Sequence, residues 1–141
     1  MTTTYSAVVT GSFVAGQDSV AIEIDAAANE TIKIKKIRIT DTDGTNAPTN
    51  MNDYYRKVKL VVESATATGT SAYTAVDTDD NSSPSTSTVK IGPGTPGTIS
   101  TTIDVLSLHS TTDFIWQAAD EDDKIVITPG GIFAVVVNPA A

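Results

Sequence analysis

Apolar and polar residues alternate through most of the chain with a period of two, the repeat of a half-buried β-strand rather than of a helix. Residues 19–25 carry the clearest run, with Val20, Ile22 and Ile24 expected on one face and Ala21 and Glu23 on the other. The same reasoning predicts strands at residues 5–14, 31–40, 57–63, 71–76, 88–91, 99–108, 114–116, 125–127 and 132–137. Turn signals separate them. Residues 26–30 form a connector with room for one helical turn, Asp43-Gly44 and Pro48 mark a polar loop at 41–53, and Pro84 lies in another at 77–87. Gly92 closes the 88–91 strand, and Pro129-Gly130-Gly131 reads as a hairpin-like turn between the last two strands. No stretch holds helical periodicity, no repeat of fixed period is present, and no linker divides the chain. The expectation is an all-β, single-domain antiparallel β-sandwich over residues 1–141, jelly-roll-like. It should have about eight to ten short strands, the number that regular spacing of turn signals implies.

One strand breaks its own phase. Ile32 and Ile34 alternate with Lys33 and Lys35, but Lys36 follows directly, and Ile37 and Ile39 then alternate with Arg38. A flat strand would throw the second pair of isoleucines to the opposite face. Two devices keep all four inward: a bulge at Lys35-Lys36, or a strand that crosses from one sheet to the other.

Composition narrows the function classes. The 141 residues include 23 threonines, whose β-branched side chains suit strands. Cysteine is absent and His109 is the one histidine, so thiol chemistry, zinc ribbons and multi-histidine metal sites are excluded. Seventeen acidic against nine basic residues leave a net charge of −8, which argues against a partner bound by neutralising phosphates, so no nucleic-acid partner is expected. The first residues lack the basic start and unbroken apolar run of a secretory leader. No membrane span and no membrane partner are expected either, and the expectation is synthesis and assembly in a cytoplasm.

The candidate motifs each have a plain structural reading. Gly92-Pro93-Gly94-Thr95-Pro96-Gly97 matches a dinucleotide-binding fingerprint in letters, but two prolines remove amides a phosphate would need, and strand-like residues follow it. It reads as a tight loop. Asp41 to Gly44, Asp77 to Asp80 and Asp120 to Asp123 are acidic clusters without EF-hand spacing, and they read as solvated turns. His109 lies near Asp104, Ser107, Ser110 and Asp113 without forming a triad pattern, and reads as a surface residue at a strand end. Trp116 reads as a core or interface anchor, with a sugar-stacking platform as the alternative, and Tyr54-Tyr55 beside Arg56 serve contact or packing. No catalytic residue, cofactor or metal site is expected, and the chain is read as non-enzymatic. The sharpest electrostatic feature is Lys33, Lys35, Lys36 and Arg38, four of nine basic residues within six positions. They are the candidate partner contacts, weighed evenly against a solvated edge strand.

With the strands placed, the chain resembles the small all-β capsid decoration, or cement, proteins of tailed bacteriophages. The resemblance rests on Lys57-Val58-Lys59-Leu60-Val61-Val62 with Gly69-Thr70-Ser71, on Ser83-Pro84-Ser85-Thr86-Ser87-Thr88-Val89, and on Asp123-Lys124-Ile125-Val126-Ile127-Thr128-Pro129-Gly130-Gly131 with the strand that follows. It implies a virion structural protein on the capsid exterior. Such a protein would be a homo-oligomer, as a trimer, and would bridge neighbouring subunits of the major capsid protein. The alternative class is a carbohydrate- or receptor-binding β-sandwich from an adhesin, tail or fibre, using Trp116, Tyr54, Tyr55 and the acidic loops.

Overall fold

The computed structural model describes residues 5–9, 13, 16–39, 55–77, 86–109 and 114–139, with the side chains of Tyr55, Arg56, Val76, Asp77, Leu108, His109 and Glu121 outside that description. Its elements are β1 (Tyr5–Ser6), β2 (Ser19–Asp25), β3 (Ile32–Ile34), β4 (Lys36–Ile39), β5 (Tyr55–Glu63), β6 (Ser71–Tyr73), β7 (Val76–Asp77), β8 (Thr88–Gly94), β9 (Ile99–His109), β10 (Phe114–Gln117), β11 (Ile125–Ile127) and β12 (Ile132–Pro139), plus one 3-10 turn at Glu121–Asp123. The chain is an all-β sandwich. One layer is a six-stranded antiparallel sheet in the order β6-β8-β2-β12-β5-β9. The second layer is a broken ribbon in which β3 pairs with β11 and β4 with β10, both antiparallel.

The main core lies between the layers. Val58, Leu60, Phe133, Val135 and Val137 of the large sheet meet Ile34 and Ile127 of the ribbon. Ile22, Ile24, Ile32, Ile37, Ile39 and Trp116 pack around them. Burying each such side chain contributes ~1.5–3 kcal/mol, and this interface is the largest apolar one described. The other face of the sheet carries a smaller cluster, Val20, Val61, Ala67, Ala134 and Val136.

Two corners join the layers side by side. The β2–β3 connector and the β11–β12 turn are bonded to each other, with Ala26 N donating to Gly131 O at 2.9 Å and Gly130 N to Ala27 O at 3.2 Å. The 129–131 segment is therefore a crossing between layers and not a hairpin, because β11 pairs with β3 whereas β12 pairs with β2 and β5. Gly130 takes a φ of 75°, which an L side chain rarely adopts.

The structure departs from the alternation pattern in instructive places. β12 pairs Val135 with Ile22 and Val136 with Val20, which leaves Ala21 as an extra, unpaired residue. This bulge sends Val20 to the outer cluster while Ala21, Ile22 and Ile24 face the main core, so the three residues expected on one face are split between two. Twelve strands occur among the described residues rather than eight to ten. The excess arises because the 31–40 run divides at Lys35 and the 71–76 run divides into β6 and β7. Of the 5–14 run, the described residues hold only the two-residue β1, paired with β7. β8 continues past Gly92 to Gly94. The 41–53 loop lies outside the described residues, as does most of the 77–87 loop.

Candidate functional site

Two groups of side chains stand out, one exposed and one buried. The exposed group belongs to the ribbon. Both halves are antiparallel, but the register shifts across the break: Ile32 lies opposite Ile127 through Ile34 opposite Ile125, then Lys36 opposite Gln117 through Ile39 opposite Phe114. Between them Lys35 faces the whole excursion 118–124, and its carbonyl accepts the Ala118 amide at 3.0 Å. The break absorbs the extra residue of the Lys-Lys pair. Ile32, Ile34, Ile37 and Ile39 all pack on the main core, as the phase argument requires.

Consequently Lys33, Lys35, Lys36 and Arg38 are all exposed. Lys33 lies opposite Val126 and Arg38 opposite Ile115. Val126 and Ile115 are 50% and 52% exposed, so the outer surface of the ribbon mixes cations with two branched apolar residues. The excursion itself is a self-capped turn in which Asp120 Oδ1 accepts the Asp122 amide at 2.9 Å. That accounts locally for the acidic 120–123 cluster, as an Asx-type turn.

The buried group was not anticipated from the sequence. Glu23 of β2 is 0% exposed and Glu63 of β5 is 3% exposed, both on the outer face of the large sheet. Ala134 of β12 is paired with Glu23 and with Val61, while Ile132 is paired with Asp25 and with Glu63. The two glutamates thus reach toward each other diagonally across β12, over the small Ala134. Glu23 Oε2 accepts the Ala67 amide at 2.7 Å, and Glu63 Oε2 accepts the Gly97 amide at 3.2 Å. Lys90 of β8 places Nζ 3.4 Å from Glu23 Oε1 and 3.1 Å from Asp25 Oδ2. Glu63 Oε1 and Asp25 Oδ1 are buried without a hydrogen-bond partner.

Three carboxylates against one ammonium strain the charge balance. Burial, and then the charge of Glu23, push the Glu63 carboxyl up to about 7. Burial also raises Glu23, with the Ala67 amide opposing and Asp25 adding to the shift. Burial works to lower the Lys90 ammonium, but Asp25 and Glu23 outweigh it and the net shift is upward. Both glutamates are thus displaced toward their protonated forms.

The glycine-rich motif belongs to this region. A Cβ at Gly97 would lie 1.8 Å from Ala65 O and 2.6 Å from Glu63 Oε2, and one at Gly92 would lie 1.7 Å from Val20 O. These glycines permit close backbone approach within the sheet and its cover, and the motif is followed by β9 rather than by a helix.

The remaining candidates fall elsewhere. Trp116 is half-buried and packs on the main core. The backbone of His109 ends β9 opposite Tyr55, and both side chains lie outside the described residues, as do Tyr54, Asp113 and the 41–44 cluster. Asp104 accepts the amide of Val105 at 2.8 Å. Among the described residues no group of three or more histidine or acidic side chains is arranged to hold a metal ion. Comparison with protein-family models, curated proteins and solved structures found no match to the chain.

Proposed function

We propose that this protein is a non-enzymatic virion component that decorates a tailed-phage capsid, seating the outer face of its ribbon on an acidic surface of neighbouring coat subunits. The observation that carries this reading is the composition of that face: Lys33, Lys35, Lys36 and Arg38 exposed around Ile115 and Val126. Four cations gathered on a chain of net charge −8 make a polarised surface that can steer and orient an acidic partner. Two exposed branched side chains at its centre supply apolar area that a partner would cover. The ribbon is held by the main core through its isoleucines, so its face is preorganised. The resemblance to decoration proteins supplies the partner class, a major capsid protein, and the trimeric state. Carbohydrate binding is less well supported, because Trp116 is spent on the core.

The test is co-sedimentation with tailed-phage capsids assembled from purified coat protein, with light scattering on the free protein. Binding that weakens with salt, and that is lost in Lys33→Glu/Lys36→Glu, is expected, together with a trimer in solution. A strict monomer that leaves particles bare, or unchanged binding after charge reversal, overturns the reading.

A further inference from the structure

The outer face of the large sheet is covered by two short segments, residues 64–70 and 95–98, that are bonded to each other. Ser64 N donates to Thr98 O at 2.8 Å, Thr68 N to Thr95 O at 3.0 Å and Thr95 N to Thr68 O at 2.8 Å. Their hold on the sheet beneath is slight. Ala67 is the one buried side chain that they contribute, a single methyl group. The polar hold is the pair of amides, Ala67 N on Glu23 and Gly97 N on Glu63. A cover with so little apolar contact belongs to the part of a structure that opens locally at low cost. Whether it stays closed therefore depends on the two carboxyls beneath it.

We propose that Glu23 and Glu63 form a proton-operated latch, which keeps the 64–70 and 95–98 cover closed while one proton is held between them and releases it when that proton is lost. Glu63 Oε1 has no partner as a carboxylate, and carrying the proton it becomes a donor toward Glu23. The pair then bears one negative charge, facing Asp25 from the same strand and Lys90 from β8. Without the proton, two buried glutamates and Asp25 confront the single Lys90. Lys59 of β5 is paired with Asp18 at 3.3 Å. The cover residues 64–70 and 95–98 include no ionisable side chain, so nothing in them compensates. Opening admits water to the carboxylates and uncovers Val20, Val61, Ala134 and Val136. The Glu63 carboxyl, pushed up to about 7, places the transition near neutral pH.

Residue-resolved amide exchange on the full chain tests the latch. Protection factors of the Ala67 and Gly97 amides, corrected for intrinsic exchange, should fall by about tenfold or more between about pH 6 and pH 8, while β12 amides hold. In Glu63→Gln, whose amide can still donate to Glu23, protection of the cover should stay flat over that range. Flat protection in the native protein, or an equal fall in Glu63→Gln, overturns the proposal. Should that variant fail to fold, a carboxyl-carbon NMR titration of the native protein decides. One glutamate titrating near neutral pH in step with the loss of protection supports the latch, and both titrating below about pH 5 overturns it.

Discussion

The amide of Ala118 donates to the carbonyl of Lys35 at 3.0 Å, and this bond marks the point where the ribbon changes partners, from β11 to β10. The exchange lets a strand with one residue too many keep Ile34 and Ile37 on the same side. It also determines the surface. Because the isoleucines are held inward on both sides of the break, the cations between them can only point to solvent. The 118–124 excursion takes the acidic residues of the same ribbon out of its plane of pairing.

The exposure of Lys35 and Lys36 implies that they matter for contact and not for folding. Lys35→Glu/Lys36→Glu should unfold within about 0.5 kcal/mol of the native protein in urea, the usual range for exposed positions. A loss of several kcal/mol would mean that these side chains hold the break together.

The β-class, the antiparallel sandwich and the inward phase of Ile32, Ile34, Ile37 and Ile39 were all legible in the alternation of the sequence, because a period of two reports burial on one face directly. The positions that escaped this reasoning depend on long-range pairing. The Ala21 bulge exists only because β12 lies beside β2, and nothing within residues 19–25 announces it. Glu23 and Glu63 resemble ordinary solvent-facing strand residues, since the groups that satisfy them are backbone amides 44 and 34 positions away. One local signal was present. Gly97 stands in a loop with two prolines, where a glycine with no ligand to approach suggests close backbone contact with the rest of the chain.

Gly97→Ala tests that contact. Its Cβ would sit 1.8 Å from Ala65 O and 2.6 Å from Glu63 Oε2, so the cover must shift and the Glu63 bond must lengthen. A cost of about 2 kcal/mol or more is expected by denaturant unfolding, in line with overpacking against backbone atoms. A cost near zero would show that the 95–98 segment is free to move.

The two faces of the large sheet should respond differently to changes in volume. Phe133 lies in the main core, and Phe133→Ala should cost about 3–5 kcal/mol. Ala134 lies on the opposite face between Glu23 and Val61, and is fully buried. Ala134→Val adds two methyl groups where the carboxyls converge, and should cost about 1–3 kcal/mol and lower the protection of the cover. Unfolding midpoints of the two variants, with amide exchange of the second, separate these effects. An Ala134→Val protein with native stability would mean that the glutamates have more space than the register implies.

Stability should fall on both sides of a plateau in mild acid, for two carboxyls displaced in opposite directions. The Glu30 carboxyl is held below its usual range by Ser87, whose Oγ donates to it at 2.6 Å, and by Thr86. A lowered folded-state value contributes stability that is present above the unfolded value and is lost as pH falls through the folded one, so this limb lies below about pH 4.5. Glu63 behaves in the opposite sense. Its folded value of about 7 exceeds the unfolded value, so the folded state retains a proton that the unfolded chain gives up. Its contribution is complete below the unfolded value and is lost as pH rises toward 7, with a slope of at most about 1.4 kcal/mol per pH unit for one proton. Urea midpoints measured from about pH 3 to pH 9 should trace both limbs. Ser87→Ala should flatten the acid limb, and Glu63→Gln should remove the neutral one and leave the protein more stable than native at about pH 8. A native protein whose stability rises steadily from pH 5 to pH 8 would assign the opposite sign to Glu63 and show that its carboxyl is ionised in the folded state throughout that range.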